Sequence, residues 1–187
     1  MTTTEKKTGK YYTGVGSRKA PPDAMELMKR IAFKLAGLGY HLRSGGADGA
    51  DTAFEDGVFE HCSLWADLSK YQSIYIPWKG FKGRENKLDK LPNDLSKKAE
   101  ELAANVHPAW DNCTVAARAL HARNAYQVLG DRLDEPSKFL ICWAPPTNWG
   151  VKGGTNTAWQ IAKLYNVPRF NLAVPEDRAR VEKWLGV

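Results

Sequence analysis

The sequence predicts an α/β protein with a Rossmann-like, mostly parallel sheet of five or more strands and helices on both faces. Three observations predict it. Short apolar or β-branched runs alternate with amphipathic helical patterns along the chain, the order expected of right-handed βαβ crossovers. The run at residues 139–143, Phe-Leu-Ile-Cys-Trp, is apolar at every position, as a strand covered on both faces requires. Three glycine-rich turns each stand between a predicted strand and a predicted helix.

The elements follow in order. Residues 11–15 read as a first strand stopped by a glycine turn, and Pro21-Pro22-Asp23 opens a helix. Ala24, Met28, Ile31, Leu35 and Leu38 recur at steps of four and three, one face of that helix, and Gly37 and Gly39 end it. Residues 40–43 form a second strand. A second helix follows, with Ala50, Ala53, Phe54, Gly57 and Val58 on one side. Residues 73–77 are a third strand, residues 92–106 and 114–130 carry helical patterns, and residues 139–143 are a fourth strand. Val115, Ala119, Ala122, Tyr126 and Leu129 make the buried stripe of the later helix. Residues 168–172 supply a fifth strand. Pro175-Glu176-Asp177 opens a last helix with proline and acids in its first turn, and Gly186 closes it.

The chain has 187 residues, 43% of them hydrophobic and 26% charged, which suits one domain over residues 11–187 behind a short polar tail at 1–10. Three cysteines without a C-x-x-C pair argue against a disulfide framework and for a reducing cytoplasm. No run approaches the roughly 20 apolar residues that span a bilayer. The net charge of +6 favours phosphorylated or polyanionic partners. Its densest expression is residues 78–93, where Lys79, Lys82, Arg84, Lys87 and Lys90 cluster; such a run is a lid over a site or, more commonly, a solvated loop.

Ligands of open parallel sheets bind beyond the carboxyl ends of the strands, so the three glycine turns are the candidate binding elements. The first contains Gly14, Gly16, Ser17 and Arg18, the second Ser44, Gly45, Gly46, Asp48 and Asp51, and the third Gly153, Gly154, Thr155, Asn156 and Thr157. Glycine admits close backbone approach, and free N–H groups at a helix start attract anions. Two familiar readings fail on the letters. Lys19 stands where a dinucleotide fingerprint needs its third glycine, and the second strand ends in Arg43 rather than an acid; none of the three turns carries the G-K-[ST] of a P-loop.

The G-S-R turn, the S-G-G-A-x-G-A-D segment, the helix bearing His121-Ala122-Arg123-Asn124 and the late Gly153-Gly154-Thr155 together resemble the SLOG superfamily. That group includes the DNA-processing protein A proteins, the Lonely Guy phosphoribohydrolases and the YspA/YpsA-like proteins, and the resemblance covers most of residues 11–172. It implies a Rossmann-like fold whose glycine turns bind nucleotides, nucleotide-derived ligands or, in one branch, single-stranded DNA. It implies a substrate-contacting role for Arg123 with Asn124 beside it, and dimers or larger assemblies. Gln160 stands where the phosphoribohydrolases carry a glutamate that acts in N-glycosidic cleavage, and an amide cannot act as a base.

Asp48, Asp51 and Glu55 are the acids that could replace it, stabilising an oxocarbenium-like transition state; the plainer role for Asp48 or Asp51 is helix capping. Glu85 is a further candidate if the basic loop folds over the site. His41 reads as packed. His61-Cys62 is adjacent rather than at ligand spacing, and His107 and His121 lie near the site region but a metal there would need acids placed by the fold, so no metal and no cofactor are assigned, and Cys113 reads as a structural thiol. Trp143, Trp149 and Trp159 surround the third turn, where a ring can stack on a base or pack. The expected function is binding of a small nucleotide, with Arg123, Asp48, Asp51 and Glu55 cleaving its N-glycosidic bond if it is an enzyme. The alternatives are a non-catalytic nucleotide sensor or sponge, and a single-stranded DNA-binding protein.

Overall fold

The computed structural model describes residues 9–62 and 67–187, so the tail expected at 1–10 lies outside the described residues up to residue 8. Strand β1 (Tyr11–Gly16) leads into helix α1 (Pro22–Gly37), strand β2 (His41–Ser44), helix α2 (Ala50–Cys62) and strand β3 (Gln72–Ile74). Helices α3 (Ser96–Val106) and α4 (Val115–Leu129) precede strand β4 (Leu140–Trp143). A short hairpin, β5 (Pro146–Thr147) with β6 (Gly150–Val151), helix α5 (Thr155–Leu164), strand β7 (Arg169–Asn171) and helix α6 (Pro175–Leu185) complete the chain.

The main sheet is five-stranded and wholly parallel, in the order β3-β2-β1-β4-β7. From β1 the chain moves outward to β3 on one side and returns to β4 on the other, which makes the gap beyond β1 and β4 a topological switch point. Alternation along β1 sends Tyr12 into a core shared with Met28, Ile31, Leu35, Phe54 and Leu185 of α1, α2 and α6. Val15 points to the opposite core with Val128, Leu129 and Ile161 of α4 and α5. In β4, Ile141 joins the first core, and Leu140 and Cys142 join the second. The apolar run at 139–143 is thus buried on both faces.

Particular positions depart from the periodic reading. Leu38 is 45% exposed because α1 ends at Gly37, and the buried face is wider than the predicted stripe, taking in Leu27 and Ala32 as well. Val115 is 87% exposed; it is the first residue of α4, where the helix has not yet reached the sheet. The hairpin β5–β6 was not expected, and it separates the third glycine turn from β4 by two antiparallel two-residue strands. Strand β3 stops at Ile74, beyond which Tyr75 only bridges Lys90. His41 is packed as expected, its Nδ1 and Nε2 within 3.0 Å of the Lys70 carbonyl and 2.9 Å of the Ser73 hydroxyl. No helix among the described residues is long and apolar enough to cross a membrane.

Candidate functional site

The first turn is tied to its neighbours. The Ser17 N–H donates to the Trp143 carbonyl at 2.8 Å, and the Ser17 carbonyl accepts from Ala50. A Cβ on Gly16 would lie 2.6 Å from the Trp143 carbonyl oxygen and 2.7 Å from the Ala50 Cβ, so glycine here lets β4 and α2 approach the strand end. Gly14 faces Leu42 and Phe54 in the core. The Ser44 hydroxyl, fully buried, donates to the Gly14 carbonyl at 2.7 Å. Arg18 and Lys19 are exposed at the rim.

Asp51 lies under the second turn, only 3% exposed. Its Oδ2 accepts from the Ala47 N–H at 3.3 Å. Burial pushes this carboxyl above the usual range, while Arg123 and the nearby backbone amides pull it down. The protein's own carboxylate thereby takes the Ala47 N–H of the second turn, a donor that a ligand would otherwise meet.

Arg123 donates through Nη1 to the Gly45 carbonyl at 2.6 Å, and its guanidinium lies 5.6 Å from the Phe81 ring centre. Its Nε has no hydrogen-bond partner among the described residues. Burial lowers its proton affinity and Asp51 opposes that. Gln127, fully buried on the same helix, leaves both amide atoms without partners. Buried polar groups are rarely left unpaired, which sets these two side chains apart from the packing around them.

The basic loop is not simply solvated. Phe81 is buried in the first core, and Arg84 closes over Gly46, whose Cβ position is 2.9 Å from the guanidinium carbon. Arg84 forks onto Glu55 at 3.1 and 2.9 Å and onto Asp89 at 2.9 Å through each of two nitrogens. Burial raises Glu55 to about 7, against Arg84, with Asp51 and Asp89 adding to the rise. Asp48 is exposed and held by Lys82 at 2.8 Å, and that bond lowers its carboxyl. Glu85 is exposed; the residue that reaches the site from this loop is its neighbour Arg84.

The third turn is open. Lys152, Gly153 and Gly154 are exposed, and no atom lies within 4 Å of a Cβ built on either glycine. Buried Asn124 donates through Nδ2 to the Gly154 carbonyl at 3.3 Å, anchoring α5 to α4. Asn156 accepts from the Val151 N–H at 3.2 Å. Gln160 turns toward the hairpin and donates to the Trp149 carbonyl. Thr157, 2% exposed, bonds His121 Nδ1 at 2.7 Å. Beside His121 lie His107, with ring centres 4.3 Å apart, and Cys113, whose Sγ is 3.9 Å from His107. Burial lowers His121 to about 4, with His107 and Arg123 contributing. Cys113 therefore has histidine partners that its position in the sequence did not reveal.

No family model and no curated protein matches the chain. A solved structure does: DNA processing protein A from Helicobacter pylori, described for its single-stranded DNA binding mode. The two share 17% identity at a TM-score of 0.50, over 88% of this chain and 65% of that one. The likeness is one of fold. It agrees with the Rossmann-like architecture that the SLOG resemblance implied, and this chain spans about 65% of the length of that relative.

A cleft of about 530 Å³ lies away from the switch point, among Tyr11, Arg43, Tyr75, Lys90, Asp131 and Glu135. Its charged groups are paired with one another: Lys90 with Asp131 at 2.6 Å and Arg43 with Glu135 at 3.3 Å. Sequence reasoning named Arg84, His107, His121 and Cys113 without showing what each pairs with, and it missed Asp89 and Gln127, which carried no local signal.

Proposed function

We propose that the carboxyl edge of the sheet binds single-stranded DNA and leaves it intact. One observation carries this reading: the carboxylates of the second turn and α2 are already engaged, while the rim presents cations and open backbone. Asp51 is held by the Ala47 amide, Glu55 by Arg84 and Asp48 by Lys82. Arg18, Lys19, Lys152 and the open third turn are exposed. A glycosidase needs a carboxylate free to act on the sugar; a phosphodiester binder needs cations and N–H donors. Trp149, 86% exposed, and Trp78, 40% exposed, add flat faces on which bases can stack. The fold likeness to a single-stranded DNA-binding protein supports the same choice.

Fluorescence anisotropy with a labelled oligonucleotide tests it. Binding at low salt that weakens steeply as salt rises to about 200 mM is the expected result. No binding at low salt, or a flat salt dependence, overturns it. Release of free base from nucleotides would overturn the claim that the bound chain stays intact.

A second reading, an intact mononucleotide held as a signal, is favoured by the unpartnered Gln127 amide and Arg123 Nε. Calorimetry showing saturable one-to-one binding of a nucleoside monophosphate, without oligonucleotide binding, selects it.

A further inference from the structure

We propose that His107, Cys113 and His121 form a divalent transition-metal site, of the kind zinc fills, at the entrance to the third glycine turn. Their ligand atoms all lie within 4.8 Å of one another. Two imidazoles and a thiolate are the donor set that suits zinc, and a tetrahedral zinc ion with bonds of about 2.0 and 2.3 Å brings such donors to about 3.3–3.6 Å apart. The Cys113 Sγ to His107 nitrogen separation of 3.9 Å is therefore within a small side-chain adjustment of metal geometry.

The scaffold comes from three places. His107 caps the C-terminus of α3, Cys113 immediately precedes Thr114, the N-cap of α4, and His121 stands within α4. Thr114 accepts from the Ala117 N–H at 3.2 Å, which fixes the start of the helix and hence the offset between Cys113 and His121. Thr157 supplies the outer support: with the threonine hydroxyl on His121 Nδ1 at 2.7 Å, Nε2 is the nitrogen left to ligate. Histidine ligands are generally oriented in this way through their second nitrogen.

Three protein ligands leave one tetrahedral position to an exogenous group, the arrangement of open rather than closed zinc sites. One thiolate against a divalent ion leaves a net positive charge. Arg123, whose charge already acts on His121, adds to it. The fourth ligand is then an anionic oxygen, and the adjoining turn at Gly153–Gly154 is where a phosphate oxygen would arrive. The metal site does not depend on the nucleic-acid reading, because the ion alone can be titrated.

The test is titration of the metal-stripped full chain with Zn²⁺ and, separately, with Co²⁺. Expected are one saturable equivalent of Zn²⁺, a thiolate-to-cobalt charge-transfer band, and at least a hundredfold loss of affinity in Cys113→Ser and in His121→Ala. The band should vanish in Cys113→Ser. Cys113 is partly exposed, so that variant is expected to keep the wild-type circular dichroism, and His61→Ala serves as a histidine control that binds normally. Absence of saturable binding at one equivalent overturns the proposal. So does binding that survives Cys113→Ser with the cobalt band intact.

Discussion

Arg84 reaches from the basic loop across Gly46 to hold both carboxylate oxygens of Glu55, at 3.1 and 2.9 Å. The two residues are 29 positions apart, and their contact turns a lysine-rich stretch into a closed flap over the second turn. Asp89 on the other side of the guanidinium completes the clamp.

Removing the clamp should cost stability. Side chains of Arg84, Glu55 and Asp89 are 20%, 14% and 3% exposed, so Arg84→Met leaves two shielded carboxyls without their cation. A loss of about 3 kcal/mol is expected at pH 8, read from urea denaturation, because breaking a buried pair from one side strands its partner. A loss below about 0.5 kcal/mol, the range of ordinary surface changes, would count against the clamp.

Burial of Glu55, acting against the clamp, sets a pH dependence. Glu55 is raised from 4.5 to about 7 by burial, so the fold favours its neutral form. Stability from this site is fully present below about 4.5 and is lost as pH rises through about 7. Glu55→Gln stays neutral throughout. Relative to the parent it should therefore gain about 2–3 kcal/mol between pH 4.5 and pH 8, measured by paired urea curves. An unchanged difference across that range contradicts the assignment.

Two glycines should answer differently to alanine. At Gly16 the new methyl meets the Trp143 backbone and Ala50, neither of which can turn aside, and overpacking of this kind costs about 1–3 kcal/mol. Gly154 has φ −60° and ψ −25°, ordinary helical values, with open space around it. Gly154→Ala should leave stability unchanged or raise it by up to about 1 kcal/mol. Thermal melts of the two variants check both.

Rim cations should act through phosphate rather than through the fold. Arg18→Ala and Lys152→Ala, both at exposed positions, should leave melting unchanged. Each should lower the slope of log affinity against log salt by about 1. Slopes equal to the parent's remove these residues from the DNA-binding surface.

Local patterns carried the architecture. Continuous apolarity at 139–143 announced a strand covered on both faces, and the spacing of Ala24, Met28, Ile31 and Leu35 announced the buried side of α1. Both signals survive in the letters because burial acts residue by residue with the period of the backbone. Hairpin β5–β6 escaped because its strands are two residues long and expose Pro146 and Thr147, too short for any alternation to register.

The glycine turns could be read from spacing, and a ligand-contacting role for Arg123 from the family resemblance; that Arg123 bonds the second turn at Gly45 came from the structure. What those turns do could not be read from spacing. Sequence spacing offers their amides to a ligand, but at the second turn packing brings Asp51 beneath the chain to take the Ala47 N–H, while the third turn stays open. Likewise, His107, Cys113 and His121 become one group only when the α3–α4 connection folds back beside α5. Periodicity is a property of the local backbone, so a single sequence displays it. The pairing of a desolvated carboxylate, guanidinium or imidazole is decided by which distant group arrives opposite it, and only the packed tertiary structure brings those groups together.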